Sequence, residues 1–289
     1  MAAELVIETE GLRKRYGAVS AVDGLDLNMQ RGEVLSLLGP NGAGKTTTVE
    51  ILEGYRKRDG GVARVLGEDP QRGGEAWRAR RGVVLQSCED VVDLTVLECV
   101  RHFSQFYPAP ANPEDVIERV GLTAKKNARI RSLSGGQRRR LDVALGIVGQ
   151  PELLFLDEPT TGFDPEARRS FWDLVRDLAR EGASILLTTH YLDEAEALAD
   201  RVAVINHGRL VETGPPDELG GRRDRQAKVS WLGPNGPEEE WTHEPTRLVM
   251  QLHASFGSEV PGLAVARPSL EDIYLELIGA PKLKEGSYE

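Results

Sequence analysis

The sequence predicts an α/β fold in which buried strands and helices form a doubly wound, parallel sheet. A continuous apolar run at 34–38, VLSLL, ends in a glycine-rich loop, and a helix-like stretch follows at 45–52, KTTTVEIL. Strand, loop and helix in this order form one unit of such a sheet. Further apolar runs of strand length, typical of strands buried on both faces, occur at 83–85, 153–156, 185–188 and 202–205.

The elements around this unit follow from their local patterns. Residues 4–36 alternate apolar and polar side chains, for example at Leu25, Leu27 and Met29, which predicts short half-buried strands. Polar residues that cap helices, two of them followed by proline, predict helix starts at Thr95, Asn112, Ser134 and Asp164. Because helical patterns dominate from about 87 to 150, we expect a helical subdomain inserted into a sheet domain of residues 1–213.

The C-terminal part, residues 214–289, is predicted to be a small accessory α+β domain. The run GPPDELGG after Thr213 indicates the boundary. Weak strand patterns occur at 228–232, 248–252 and 262–265. A helix follows at 269–278, and Ser269 with Asp272 gives it a capping box. This domain either serves in packing or dimerisation, or it has a binding site of its own. The role in packing or dimerisation is the simpler interpretation.

Composition and charge exclude several classes of protein. The 289 residues carry 36 Lys and Arg against 46 Asp and Glu, a net charge of −10, whereas a free-standing nucleic-acid binder is usually basic. The apolar runs fall short of the roughly 18 residues that a membrane-spanning helix needs. The acidic N-terminus lacks the basic region of a secretory signal. Two cysteines, Cys88 and Cys99, predict neither a disulfide framework nor a zinc site and favour a reducing cytoplasm.

The loop after the 34–38 run predicts a polyphosphate site. It matches the pattern G-x-x-x-x-G-K-[ST], whose glycines let backbone N–H groups approach phosphate oxygens at the start of a helix. Lysine adds a cation for the terminal phosphates, the first threonine hydroxyl ligates Mg²⁺, and the second can contact phosphate. The residues of this site are Gly39, Pro40, Asn41, Gly42, Ala43, Gly44, Lys45, Thr46 and Thr47.

A second apolar run supplies the acids that such a site requires. LLFLDE at 153–158 delivers Asp157 and Glu158 to the carboxyl edge of the sheet, where open α/β sheets bind ligands. Asp157 is expected to hold Mg²⁺ through water, and Glu158 to polarise the attacking water.

The sequence LSGGQ at 133–137, upstream of the acidic strand and in the same chain as the phosphate loop, completes a family pattern. Over about residues 4–213 the chain resembles the nucleotide-binding subunits of ATP-binding-cassette (ABC) transporters. The resemblance implies a RecA-like P-loop NTPase domain with an antiparallel β subdomain and an inserted helical subdomain. It also implies that ATP and Mg²⁺ are the cofactors and that ATP is hydrolysed.

Further site residues are implied by the same resemblance. Tyr16 corresponds to the aromatic residue that stacks on adenine, and Gln86 to the glutamine that contacts Mg²⁺ or water and senses the membrane partner. His190 corresponds to the switch histidine near the γ-phosphate. The catalytic set is therefore Glu158, His190, Gln86 and Lys45, and the metal set is Thr46, Gln86 and Asp157.

The resemblance also implies two protein partners. Such subunits dimerise head to tail, so that the signature residues of one copy close the nucleotide of the other; here these are Ser134, Gly135, Gly136 and Gln137. The second subunit is expected to be another copy of this chain. The dimer energises a separate membrane permease at the cytoplasmic face of the plasma membrane.

The branch of the family is suggested by LSGGQRRRLDVAL and TTHYLDEAEALADRV, which look like the drug-resistance (daunorubicin-type) ATPases of ABC-2 exporters. Export of a drug, antibiotic or lipid-like compound is the expected function. The alternative is a non-transport ABC ATPase that acts on nucleic acid or the ribosome. Such proteins usually carry coiled-coil insertions, zinc modules or two cassettes, so the single cassette and two cysteines disfavour it.

Two features of the sequence depart from the family pattern, and a third has more than one interpretation. Phe163 stands where leucine is usual, and the stretch after Gln86 lacks the aromatic-proline pattern expected there. Basic residues also crowd between 125 and 140. We interpret them as a solvated face beside the nucleotide or as contacts to the membrane subunit, rather than as a nucleic-acid site. They are Lys125, Lys126, Arg129, Arg131, Arg138, Arg139 and Arg140.

Overall fold

The computed structural model describes residues 4–84 and 93–279. The chain divides into two compact units, residues 1–213 and 214–289. The first unit contains a three-stranded sheet and a six-stranded sheet, and the second contains another three-stranded sheet. Within the described ranges, no helix has both the length and the apolar character needed to cross a membrane.

The N-terminal sheet is antiparallel and has the strand order β2-β1-β4. Its strands are β1 (Leu5–Tyr16), β2 (Val19–Gln30) and β4 (Gly60–Val65). The prediction of short strands is wrong here, because β1 and β2 each continue for 12 residues. Register shifts inside the pair, one of them between Thr9 and Leu12, break the apolar alternation without ending the strands.

The six-stranded sheet confirms the predicted α/β fold. Its order is β5-β6-β7-β3-β8-β9, and the pairs from β5 through to β8 are parallel. The strands are β3 (Val34–Leu38), β5 (Arg81–Val84), β6 (Leu153–Asp157), β7 (Ser184–Thr188), β8 (Arg201–Asn206) and β9 (Arg209–Gly214). The carboxyl ends of β3, β6 and β7 therefore lie side by side at one edge.

Apolar cores cover both faces of this sheet, which explains why its strands are continuous apolar runs. Along β6, Leu153 and Phe155 face the core shared with the antiparallel sheet, whereas Leu154 and Leu156 face the core shared with the helices. All four side chains are at most 1% exposed. A strand with one solvated face would have alternated polar residues instead.

Four helices of the first unit begin where the capping residues predict. The side chains of Thr95, Asn112, Ser134 and Asp164 each accept a hydrogen bond from a backbone N–H in the first turn. The helices are α1 (Lys45–Leu52), α2 (Glu75–Ala79), α3 (Val96–Ser104), α4 (Pro113–Arg119), α5 (Gly135–Ile147), α6 (Pro165–Arg180) and α7 (Leu192–Leu198).

The second unit is a small α+β structure. Its antiparallel sheet has the order β11-β10-β12, with β10 (Ala227–Gly233), β11 (Gly236–Thr242) and β12 (Ala264–Ala266). Two helices accompany it, α8 (Pro245–Phe256) and α9 (Leu270–Leu277), and Ser269 and Asp272 form the predicted capping box of α9.

One prediction in this unit is wrong: residues 248–252 belong to helix α8 rather than to a strand. The apolar run LVMQL fits either structure by itself. Pro245 in the first turn and Gly257 at the left-handed C-cap, with φ of 65°, bound the segment as a helix. Half-buried Leu248, Val249 and Leu252 then lie on one helical face.

Candidate nucleotide-binding site

The phosphate loop lies between β3 and α1, and two of its glycines are required by close packing. A Cβ atom on Gly39 would lie 2.4 Å from the carbonyl oxygen of Ile205. One on Gly44, whose φ is +102°, would lie 2.2 Å from the carbonyl oxygen of Ala21. The loop can keep this curvature only without those side chains. Thr46, at the start of α1, remains exposed.

Lys45 is buried although it carries a charge, with 7% of its surface exposed. Its Nζ donates hydrogen bonds to the carbonyl oxygens of Gly39, at 2.6 Å, and Pro40, at 3.2 Å. Burial lowers the pKa of Lys45, while the charges of Glu158 and Asp157 oppose that shift. A desolvated ammonium group held in a loop of backbone N–H groups is suited to bind a polyphosphate.

Asp157 ends β6, and its carboxylate is oriented by the neighbouring strand. The hydroxyl of Thr188, at the end of β7, donates a hydrogen bond to Asp157 Oδ1. Thr188 is 1% exposed, so this bond is shielded from water. The carboxylate of Asp157 and the hydroxyl of Thr46 are the hard oxygen donors that Mg²⁺ prefers, so these residues fit the metal that the phosphate loop implies.

Glu158 adopts a backbone conformation that is rare for a residue with a side chain, because its φ is +43°. Its N–H donates to the carbonyl oxygen and to the hydroxyl of Thr188, both at 3.1 Å. Glu158 Oε2 lies 3.4 Å from His190 Nδ1 and accepts a hydrogen bond of 3.4 Å from Thr161 Oγ1. The two predicted catalytic side chains are therefore neighbours, and strained backbone of this kind often marks functional sites.

His190 follows β7 and remains accessible, with 42% of its side chain exposed. Its ring packs against Tyr191 at 4.0 Å between centroids, and the guanidinium of Arg168 lies 4.2 Å from the centroid on Tyr191. The histidine is therefore fixed from one side by a packed aromatic ring while its Nδ1 faces Glu158. It can reach a ligand at this edge of the sheet.

The LSGGQ segment forms the start of α5 and caps this N-terminus with two reciprocal hydrogen bonds. The Ser134 hydroxyl accepts from the N–H of Gln137 at 3.3 Å, and Gln137 Oε1 accepts from the N–H of Ser134 at 3.1 Å. Ser134 and Gly135 are exposed, whereas Gly136 and Gln137 are half-buried. A capped and accessible helix N-terminus can approach an anion, and its dipole favours that contact.

Comparison with known proteins identifies the family. Residues 22–161 match the family described as ABC transporter. The chain is 38% identical, over 95% of its length and 94% of the relative's, to the Nod factor export ATP-binding protein I of Ralstonia nicotianae. It is 37% identical, over 96% and 97%, to the daunorubicin resistance ATP-binding protein DrrA3 of Streptomyces coeruleorubidus. The chain belongs to the ABC transporter family.

A solved ABC structure agrees with this assignment. The cbiO1 protein of Clostridium perfringens, described as part of an ABC transporter complex, superposes with a TM-score of 0.70 at 27% identity. The match covers 76% of this chain and 92% of that one. Membership of the ABC family, together with the phosphate loop and its acidic strand, makes this chain an ATP hydrolase.

Tyr16, the expected adenine contact of the ABC ATPase, lies at the end of β1 and is 43% exposed. Lys14 Nζ lies 5.6 Å and Arg56 Cζ 5.3 Å from the centroid of its ring. Arg56 is held in turn by an ion pair with Glu50, at 2.5 Å. Two cations therefore contact the ring, while part of Tyr16 stays exposed to solvent.

Other expected positions have different outcomes. Gln86 and Cys88 lie outside the described residues. Phe163, placed where the family usually has leucine, packs edge-on against Phe171 within this chain, with ring centroids 5.8 Å apart. The interpretation of residues 125–140 as a solvated face is wrong for Arg139, which is 7% exposed.

Sequence reasoning missed two residues at this site. Thr188 orients Asp157 and binds the backbone of Glu158, and the threonines of ILLTTH were its only signal. Arg139 bonds the carbonyl oxygens of Asp157 and Pro159 from helix α5. Its position within a basic run concealed this contact.

Proposed function

We propose that this chain uses ATP hydrolysis to drive export of a drug-like, antibiotic or lipid-like compound through a separate permease at the cytoplasmic face of the membrane. The export assignment is supported by the names of both relatives, a Nod factor exporter subunit and a daunorubicin resistance protein. The observation that carries the catalytic assignment is the contact between Glu158 and His190, 3.4 Å apart beside the phosphate loop.

The proposed mechanism gives each residue a physical task. Backbone N–H groups of the loop and the Lys45 ammonium bind the phosphates, and Tyr16 stacks on the base. Thr46 and Asp157 would hold Mg²⁺, which would neutralise phosphate charge when bound. Glu158 accepts a hydrogen bond from the attacking water and thereby orients and polarises it. His190, linked to Glu158, donates to oxygen of the γ-phosphate.

We further propose that the working unit is a head-to-tail dimer of this chain. The N-terminus of α5, capped by the exposed Ser134, can bind an anion, which its helix dipole favours. The γ-phosphate bound to a second copy is such an anion. ATP then joins the two copies and hydrolysis separates them, which is how the reaction can move an attached permease.

The catalytic assignment is tested by Glu158→Gln. The variant should bind ATP with wild-type affinity because the amide keeps the side chain's size, but it should lose turnover because it cannot polarise water. Glu166→Gln, an exposed acid in the first turn of α6, is the matched control and should hydrolyse ATP normally. Wild-type turnover by Glu158→Gln would refute the role of Glu158.

The transport assignment is tested by capture from native membranes. Tagged Glu158→Gln protein trapped with ATP and Mg²⁺ should retain a polytopic membrane protein in stoichiometric amount, identified by mass spectrometry. Recovery of ribosomes or DNA, or of no membrane protein, would leave the ATPase chemistry in place and support the non-transport alternative.

A further inference from the structure

Arg139 connects the signature helix to the catalytic loop of the same chain. It lies in α5, five residues after Ser134, and is 7% exposed. Its Nε donates to the carbonyl oxygen of Pro159 at 3.0 Å, and its Nη2 donates to that of Asp157 at 2.8 Å. One rigid guanidinium therefore holds two carbonyl groups of a loop that is distant in sequence.

These two carbonyl groups lie on either side of Glu158 along the chain. Glu158 has the φ of +43°, a conformation that costs about 1 kcal/mol or more and persists only when surrounding contacts impose it. Thr188 accepts a hydrogen bond from the N–H of Glu158, and Thr161 donates its N–H to the carbonyl oxygen of Glu158. Arg139 binds the carbonyl groups on either side. The catalytic residue is thus fixed from a neighbouring strand and from the signature helix.

The buried charge of Arg139 is balanced locally. Asp142, one turn along α5 and 7% exposed, places Oδ2 4.0 Å from Arg139 Nη1. Burying such a pair gives little net stability compared with apolar residues of similar volume. The specific property of arginine at this position is therefore its ability to direct several N–H groups at the loop.

We infer that Arg139 is a positioning residue that couples the two nucleotide sites of the dimer. The inference rests on the proposed function, in which Ser134 closes the nucleotide of the second copy while Glu158 acts on the nucleotide of its own. Movement of α5 toward the partner's nucleotide shifts Arg139 and, through the two carbonyl groups, sets the backbone of Glu158. ATP bound at one site then adjusts the catalytic carboxylate at the other.

Two variants of the full-length chain test this coupling. Arg139→Met combined with Asp142→Leu removes the connection without leaving an unpaired buried charge. Arg139→Lys keeps the charge beside Asp142 but loses the fork that reaches both carbonyl groups. We expect kcat to fall by about tenfold to a hundredfold, as for small misplacements of catalytic groups, with KM for ATP nearly unchanged. The Hill coefficient for ATP should fall toward unity.

The control is Arg138→Met, since Arg138 is the neighbouring cation and bonds the carbonyl oxygen of Ile130, at 3.2 Å, instead of the loop. It should keep wild-type kcat and cooperativity. Thermal unfolding distinguishes a loss of coupling from a loss of folding. If the double variant is unfolded, Arg139→Lys alone tests the inference. Wild-type kcat and Hill coefficient in a folded Arg139 variant would overturn the inference.

The same assays distinguish this inference from the proposed function. Inactive Glu158→Gln together with fully cooperative Arg139 variants would refute the coupling alone. Active Glu158→Gln would refute the catalytic assignment on which the coupling rests. A loss of kcat in the Arg139 variants without any change in cooperativity would show positioning within one site only and would also contradict the coupling.

Discussion

Replacing Thr188 by valine should disable the site while preserving the shape of the core. Valine has nearly the same volume, but it removes the hydroxyl that donates to Asp157 and accepts from the N–H of Glu158. Because Thr188 is 1% exposed, water cannot replace the lost bond. A hydrogen bond to a charged group contributes about 1.5–3 kcal/mol. For a unit of this size, the loss corresponds to a fall in Tm of about 3–12 °C.

The effect on activity should be larger than the effect on stability. Without the hydroxyl, the carboxylate of Asp157, which we propose holds Mg²⁺, loses the hydrogen bond that fixes its orientation. Loss of residues that orient metal ligands lowers activity by about tenfold to a hundredfold. Steady-state ATPase rates at saturating Mg²⁺ and calorimetric Tm measure the two effects. Thr188→Ser keeps the hydroxyl and is the control. Wild-type rate and Tm in Thr188→Val would refute this reasoning.

Three further predictions concern single residues. Tyr16→Ala should weaken ATP binding by about 1–3 kcal/mol, measured by titration calorimetry, whereas Tyr16→Phe should retain it. Gly44→Ala should abolish nucleotide binding, because its Cβ would lie 2.2 Å from the carbonyl oxygen of Ala21; normal binding would contradict the loop geometry. Burial raises the pKa of Glu53 to about 7 from 4.5, so the folded chain keeps a proton that the unfolded chain releases. As pH rises from about 5 to about 7, release of this proton by the unfolded chain therefore lowers the free energy of unfolding, by up to ~3 kcal/mol. In Glu53→Gln, the free energy of unfolding measured with urea should not show this fall between about pH 5 and about pH 8.

Much of the site is predictable because it depends on the ends of strands. A buried parallel strand is recognisable as an apolar run, and the residues that follow it must lie at the carboxyl edge of the sheet. This reasoning places the phosphate loop after β3, Asp157 at the end of β6 and His190 after β7, and the strand order β6-β7-β3 puts the three together. The positions of these residues follow from the strand ends and the strand order, without other contacts between distant residues.

The remaining features depend on contacts between distant residues. Residues 248–252 are apolar enough for a strand or a helix, and only the flanking Pro245 and Gly257 favour the helix that forms. The length of β1 depends on its pairing with β2 across several register shifts, which local alternation does not reveal. The burial of Arg139 results from carbonyl groups about twenty positions further along the chain, so its basic neighbours suggested a solvated face instead.

The residues that the sequence concealed show how the acidic end of β6 is held in place. Its place in the sheet brings Glu158 to the correct edge but does not determine its conformation. Thr188 and Arg139 do so, by binding the N–H of Glu158 and the carbonyl groups on both sides of it. Since Arg139 comes from the helix that Ser134 begins, the backbone on both sides of Glu158 is bound by the same helix that we propose meets the second nucleotide. In the proposed dimer, the segment that closes the partner's site therefore also acts on the site of its own chain.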